Sequence, residues 1–455
     1  MSAVKFNRLK LTNIKVVTSD VNTTVPSISS VSKFVTTQTG ANFGYSVDIS
    51  TTDDTLLVGA PDTDFGGAIN AGAVKYYNKN ASDIWTGGTI ISASDRAIGD
   101  RFGHSITVNS SGTVFIAGAP KGNLGISSDA GAAYIFTKNS SDIWSQKQKI
   151  FASDFTANVE FGTSVAINAA GDMAAICSIP YNVTRGSVYI FTKNPSDVWN
   201  QQQKIISSDS TNGTLFGQSM SMNPTGDLIL VGNPKLNSVG VNAGAVKLFK
   251  KNVSDIWSVT QLLSSDTQAG DYFGQSVTIN DNSNVAIIGA PMEDTGGSNA
   301  GAAYIFSKNT SDIWIEKQKI ISSDIQAGDY FGWSVSINSN GTIALVGAKN
   351  EDTGATNRGS AYIFTKSSSD LWSQQQKIQP SDNLSNFFFG QSVVLNSIGD
   401  ESIVGATPIT SSSSDSIFIF KYVVSNIPVG GVSYNNVNQY ELFVMKSDNV
   451  INYKA

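Results

Sequence analysis

The sequence predicts an all-β fold, a seven-bladed β-propeller of four-stranded antiparallel blades whose ring is closed by an N-terminal strand completing the last blade. Three observations carry this prediction. The pair Phe-Gly recurs at Phe43-Gly44, Phe102-Gly103, Phe161-Gly162, Phe216-Gly217, Phe273-Gly274, Phe331-Gly332 and Phe389-Gly390, in steps of 59, 59, 55, 57, 58 and 58 residues, and a period of this size marks a repeat architecture. Each unit holds three short apolar runs and one polar run, without helical periodicity. The motif Asp-(Ile/Val/Leu)-Trp, which opens the polar run, occurs before Trp85, Trp144, Trp199, Trp257, Trp314 and Trp372 but is missing from the last unit.

In chain order, residues 1–25 form an N-terminal extension in which 4–11 alternates well enough for a strand and 14–17 for another, with a break expected at Pro26. The unit starting at Phe331 shows the repeat best. Phe331, Trp333, Val335 and Ile337 alternate with Gly332, Ser334 and Ser336, so a first strand is expected with its large residues on one face and its small residues on the other. Ser339-Asn340-Gly341 is a hairpin signal. Residues 343–346 are an unbroken apolar run, as expected of a strand buried on both faces. After a polar loop, 359–364 give a third strand and 371–378 a mostly polar fourth. Three apolar strands and one polar strand joined by short connections describe a propeller blade, inner edge first.

The two ends decide between an open solenoid and a ring. The last unit has its first three strands, up to Phe420, and then stops, whereas 32–44 align with 318–332, the end of one unit and the start of the next. Residues near 30–36 are therefore expected to supply the outer strand of the seventh blade, which removes most open sheet edge. The expected division is 1–25 extension, 26–422 propeller, and 423–455 C-terminal extension, with a strand near 440–445. Closure brings both extensions to one blade, where they are expected to pair into a small appended sheet.

Composition excludes several functions. Charged residues make up 15% of the chain and net charge is −6, with no Lys/Arg cluster, so nucleic acid is not an expected partner. The single cysteine, Cys177, rules out an intrachain disulfide framework. No secretory signal is read in the first 20 residues, and no run reaches the apolar length of a membrane helix, so membrane insertion is not expected. His104 is the only histidine; it stands near the expected axis with no nucleophile or carboxylate specified beside it. Cys177 lies in an apolar second strand and reads as a packed thiol. Zinc, phosphate-loop and nucleophile-elbow motifs are absent, and neither a cofactor nor a catalytic constellation is expected.

The candidate site residues are acidic. Asp62, Asp64, Glu293, Asp294, Glu351 and Asp352 fall between second and third strands, and Asp100, Asp271 and Asp329 precede Phe-Gly pairs. Both loop classes emerge on one face of a propeller, so these carboxylates are rim candidates for a cation or ligand, against the plain reading that Asp and Gly make tight turns. Asn80, Asn139, Asn252 and Asn309 begin Asn-x-Ser triplets in the turn before Asp-Ile-Trp, where turn chemistry is the simpler explanation than glycosylation. The repeated Trp residues are read as packing rather than as sugar platforms.

With Phe-Gly and sequences such as Gly59-Ala60-Pro61, Gly118-Ala119-Pro120 and Gly289-Ala290-Pro291 at these spacings, the chain resembles the FG-GAP family, the repeat of the integrin α-subunit propeller. It is more similar to a bacterial and viral branch whose units read like residues 314–335. The resemblance spans about 30–422 and implies the propeller fold and a binding or scaffolding role, since family members share no single chemistry. In the integrin-like version, loops with Asp-x-Asp-x-Asp-Gly hold calcium. The corresponding loops here, such as Asn109-Ser110-Ser111-Gly112 and Asn338-Ser339-Asn340-Gly341, are nearly uncharged, and Asp53-Asp54 is the most acidic copy; too few carboxylates remain for calcium.

The expected function is a non-enzymatic structural or protein-interaction module, with protein partners on the loop rim and the terminal extensions. The fold, the lack of a signal and of disulfides, and β-like tails resembling end segments on proteins of large DNA viruses point to a virion or surface-appendage component. The alternative is a surface adhesin or lectin-like binder, and the third reading an enzyme using the axial cavity.

Overall fold

The computed structural model describes residues 24–180, 185–207, 213–408, 414–426, 441–446 and 449–454. The strands expected at 4–11 and 14–17 lie outside them. The described residues contain no helix; they form seven four-stranded antiparallel sheets and one two-stranded hairpin. In blade six the strands are Phe331–Ile337, Ile343–Ala348, Ser360–Lys366 and Trp372–Ile378, hydrogen-bonded in that order.

Blade seven closes the ring as the ends of the sequence require. Its inner three strands are Phe389–Leu395, Glu401–Ala406 and Ser416–Asn426, and its outer strand is Thr24–Val35, pairing Phe34 with Ile417 and Val31 with Phe420. Pro26 does not break this strand but lies within it, opposite Val424. The outer position explains the tolerance: an edge strand has one side without ladder partners, so a missing N–H costs little. The two closing strands run on to Thr24 opposite Asn426, so the two ends of the propeller lie side by side on blade seven. The strand at Glu441–Lys446 pairs with Asn449–Lys454; the N-terminal extension expected to join it lies outside the described residues.

The core lies between blades. The phenylalanine of every Phe-Gly pair is fully buried, and each apolar cluster joins two neighbours; Phe331, Val335 and Ile337 of blade six pack on Val285, Ile287, Ala303 and Ile320 of blade five. The Asp-x-Trp tryptophans belong to the same seams: Trp85, Trp199 and Trp372 are buried, and Trp144, Trp257 and Trp314 pack against the clusters. The packing reading of these residues holds.

A serine two residues beyond each Phe-Gly pair links every blade to the next. Its hydroxyl donates to the carbonyl of the following blade's Phe-Gly glycine: Ser46 to Gly103, Ser105 to Gly162, Ser164 to Gly217, Ser219 to Gly274, Ser276 to Gly332, Ser334 to Gly390 and finally Ser392 to Gly44, at 2.6–2.9 Å. The glycine of Gly-Ala-Pro serves this approach, since a Cβ on Gly59 would overlap the Gly103 carbonyl. Cys177 holds the equivalent position in blade three, opposite Ser164, and its thiol lies against Phe216 and Gly217 of blade four. The next inner strand, Met220–Met222, is only three residues long.

Candidate functional site

The seven inner strands surround an axial channel, and the first side chain after each Phe-Gly pair rings one of its ends. Tyr45, His104, Thr163, Gln218, Gln275, Trp333 and Gln391, one per blade, line a mouth cavity of about 270 Å³. Sequence alternation had put Trp333 on the face of Phe331. Instead the register slips between Phe331, paired with Ala348, and Ser334, paired with Gly347, with Gly332 at φ +88°. This bulge turns the third residue of the motif out of the interblade core and toward the axis. Val47, Ile106, Val165, Met220, Val277, Val335 and Val393 line both the mouth and a second cavity of about 330 Å³ at the opposite end, forming an apolar waist between them.

The mouth is neutral. The Tyr45 hydroxyl and His104 Nε2 are 3.3 Å apart, and His104 Nδ1 is 3.3 Å from the Thr163 carbonyl oxygen. A carbonyl only accepts, so Nδ1 carries the proton and Nε2 accepts from Tyr45. Burial, reinforced by the Arg101 and Lys121 charges, holds the imidazole down at about 4. His104 thus lines the axis, as its place in the sequence indicated, but as a neutral hydrogen-bonding group. Beside the mouth, Lys349 Nζ stands 3.0 Å from the Trp333 ring centroid, and burial lowers its pKa to about 7.

The second cavity contains Asp48, which the sequence reading did not single out. Its equivalents in the other blades are Thr107, Ala166, Ser221, Thr278, Ser336 and Val394. Asp48 accepts from the amides of Val108, 2.8 Å away in the next blade, and of Ile49. Burial exceeds these bonds and raises its pKa to about 6. The only signal in the sequence was one carboxylate in an otherwise uncharged column.

The acidic residues of the rim are each committed to their own loop or seam. Asp62 makes a two-point ion pair with Arg101, at 2.8 and 3.1 Å. Asp64, Asp294 and Asp352 accept from the amides of Asn70, Asn299 and Asn357 in their own loops. Glu293 and Glu351 are buried under Lys319 and Lys377, each 2.8 Å away. Burial pushes Glu351 up, but Lys377 and the hydroxyls of Thr353 and Ser360 outweigh it and leave the carboxyl below its usual range. Asp271 and Asp329, each bonded to one nearby amide, are raised by burial to about 6; Asp100 is raised for the same reason. Among the described residues no group of three His, Cys, Asp or Glu side chains is placed to hold a metal ion.

The hairpin loops between inner and second strands are likewise built by their own side chains. Asp53 crosses the closing seam to the Ser397 amide and hydroxyl at 3.1 and 2.8 Å, and Asp54 takes the hydroxyls of Ser50, Thr52 and Thr55. In the Asn-x-Ser turns, the side-chain oxygens of Asn80, Asn139, Asn252 and Asn309 accept from the amides two and four residues on. Asn194, followed by proline and so outside the glycosylation triplet, makes the same two bonds. Turn geometry therefore accounts for the asparagines. Cys177 is fully buried, and burial pushes its thiol well above the usual range, far from a nucleophile.

One feature of the mouth-side loops was missed in the sequence. Large aliphatic side chains stand exposed at the tips: Ile69 and Ile98 at 57% and 69%, Ile126 at 105%, and Val239 and Val241 at 62% and 66%. They occupy the loops of blades one, two and four and the connection entering blade two, while the corresponding loops of blades five and six carry Glu, Asp, Thr and Gly. Single apolar residues in polar loops give no periodic signal; comparable exposure elsewhere, at Ile84, Ile143, Ile256, Ile313 and Leu371, falls at one repeated position, the residue before the Asp-x-Trp tryptophan.

A family model described as FG-GAP repeat matches residues 85–136, 144–191, 199–249, 257–306 and 314–364. A search of curated proteins finds no match. Among solved structures, the chain is similar to a periplasmic gluconolactonase of Pseudomonas aeruginosa, with a TM-score of 0.50 and 11% identity, over 74% of this chain and 86% of that one. At that identity the likeness concerns the fold alone.

Proposed function

The chain belongs to the FG-GAP repeat family, and we propose that its propeller is a non-enzymatic interaction module, a structural component of a virion or surface appendage that contacts protein partners through the mouth-side rim. The observation that carries this reading is the set of exposed aliphatic tips on the mouth-side loops of blades one, two and four and the connection entering blade two, Ile69, Ile98, Ile126, Val239 and Val241. Apolar side chains held out into solvent on one face of a polar scaffold suit a contact surface. The scaffold's own ionisable side chains support it too: the rim carboxylates are bound up in ion pairs and turns, so they hold the loops rather than face a substrate. The two ends of the propeller, side by side on blade seven, add a second attachment point on one edge of the ring.

The test is fractionation of the native source, followed by cross-linking in the fraction that holds the protein. Cross-links from Lys121 and Lys235 to another protein are expected, and Ile126→Asp with Val241→Asp should abolish them while the ring stays folded. Removal of 1–23 and 427–455 should leave a folded ring that joins its assembly poorly. A freely dissolved protein without cross-linked partners, or turnover lost on changing rim carboxylates, would overturn the reading.

A further inference from the structure

We propose that the axial mouth is a binding site for a neutral sugar. The residue in this ring differs in most blades, although the glycine before it and the serine after it are the same in all seven. The scaffold therefore fixes its neighbours and leaves this side chain free to serve a ligand. Gln218, Gln275 and Gln391 make no side-chain hydrogen bond among the described residues, yet all three line the same cavity of about 270 Å³. Each carboxamide offers two donors and an acceptor.

Trp333 completes the arrangement. It is the one tryptophan outside the Asp-x-Trp motif, it lines the cavity, and the Lys349 ammonium anchors its ring. An aromatic surface beside several unpaired amides matches a pyranose, which has an apolar C–H face and hydroxyls that both donate and accept. No Asp, Glu, Lys or Arg lines the mouth, and His104 is neutral there; Lys349 lies against the Trp333 ring, and burial lowers its pKa to about 7, so the lining itself favours an uncharged ligand.

The site is separate from the aliphatic rim tips, and its failure would leave the rim reading intact. The full chain is applied to an array of neutral and acidic oligosaccharides, and the best neutral hit is titrated at pH 5 and 8. Binding of neutral glycans is expected, changing by no more than a few-fold between the two pH values: His104 stays uncharged over this range, and only Lys349, lowered to about 7 and held against the Trp333 ring, changes its charge. Trp333→Ala, and separately Gln275→Ala with Gln391→Ala, should each weaken it by about tenfold, the loss of one aromatic contact or two hydrogen bonds. Ile126→Asp should have no effect. Thermal unfolding establishes that each variant is folded; if Trp333→Ala is not, the glutamine pair decides. Absence of neutral-glycan binding, binding of acidic glycans only, or affinity unchanged by the glutamine pair would overturn the proposal.

Discussion

Asp415 stands where the other six blades have glycine before the third strand. It is fully buried, and its carboxylate accepts the amide of Phe43 at 3.3 Å across the closing seam. Elsewhere that amide is taken by a backbone carbonyl, as Phe102 by Ala71 and Phe331 by Ala300. Burial outweighs the amide bonds and raises the Asp415 pKa to about 6. Because the folded pKa lies above the unfolded one, the stability this group contributes is fully present below about pH 4 and is lost as pH rises through 6. Asp415→Asn keeps the acceptor and removes the charge. It should stabilise the protein on the order of 2 kcal/mol at pH 8 and have almost no effect at pH 4, read from urea midpoints. Equal effects at both values, or destabilisation at pH 8, would contradict the assignment. Asp415 and Asp48 are each the one carboxylate in an uncharged column of the repeat, but their raised pKa values were not legible, since the burial comes from residues distant in the chain.

Strand order, hairpins and the interblade core were legible because the repeat samples the same pattern seven times. What alternation could not convey is the bulge at Phe-Gly, which turns Trp333 and its six counterparts to the axis. Pro26 misled for a related reason: its effect depends on whether the strand has a neighbour on its outer side. The serine latch was visible as a constant residue, but its role appears only once adjacent blades are in contact. Replacing Ser334 by alanine removes the donor to Gly390 and should cost about 1 kcal/mol in urea unfolding. Ser392→Ala at the closing seam should cost about the same, because the seam uses the same bond. A much larger effect at Ser392 would mean that closure is built differently from the other joints.

For the whole molecule, the wheel was readable from the unequal ends, while its purpose was not. A ring whose ion pairs and turns serve mainly its own assembly leaves few chemical signatures in sequence, and exposed tips such as Ile126 and Val241 are ordinary residues until the fold places them at the rim. The channel mouth and the rim exist as sites only if the ring is closed by its first strand. The most direct measurement is to compare the chain lacking 1–23 with one lacking 1–35. The first should unfold at the same temperature as the intact protein. The second loses the outer strand of blade seven and the Phe34–Tyr77 contact; it should unfold about 5–10 °C lower, and a peptide of residues 24–35 should restore both its stability and the amide protection of Ile417 to Lys421. A chain lacking 1–35 that is as stable as the intact one, and indifferent to the peptide, would contradict the closed ring.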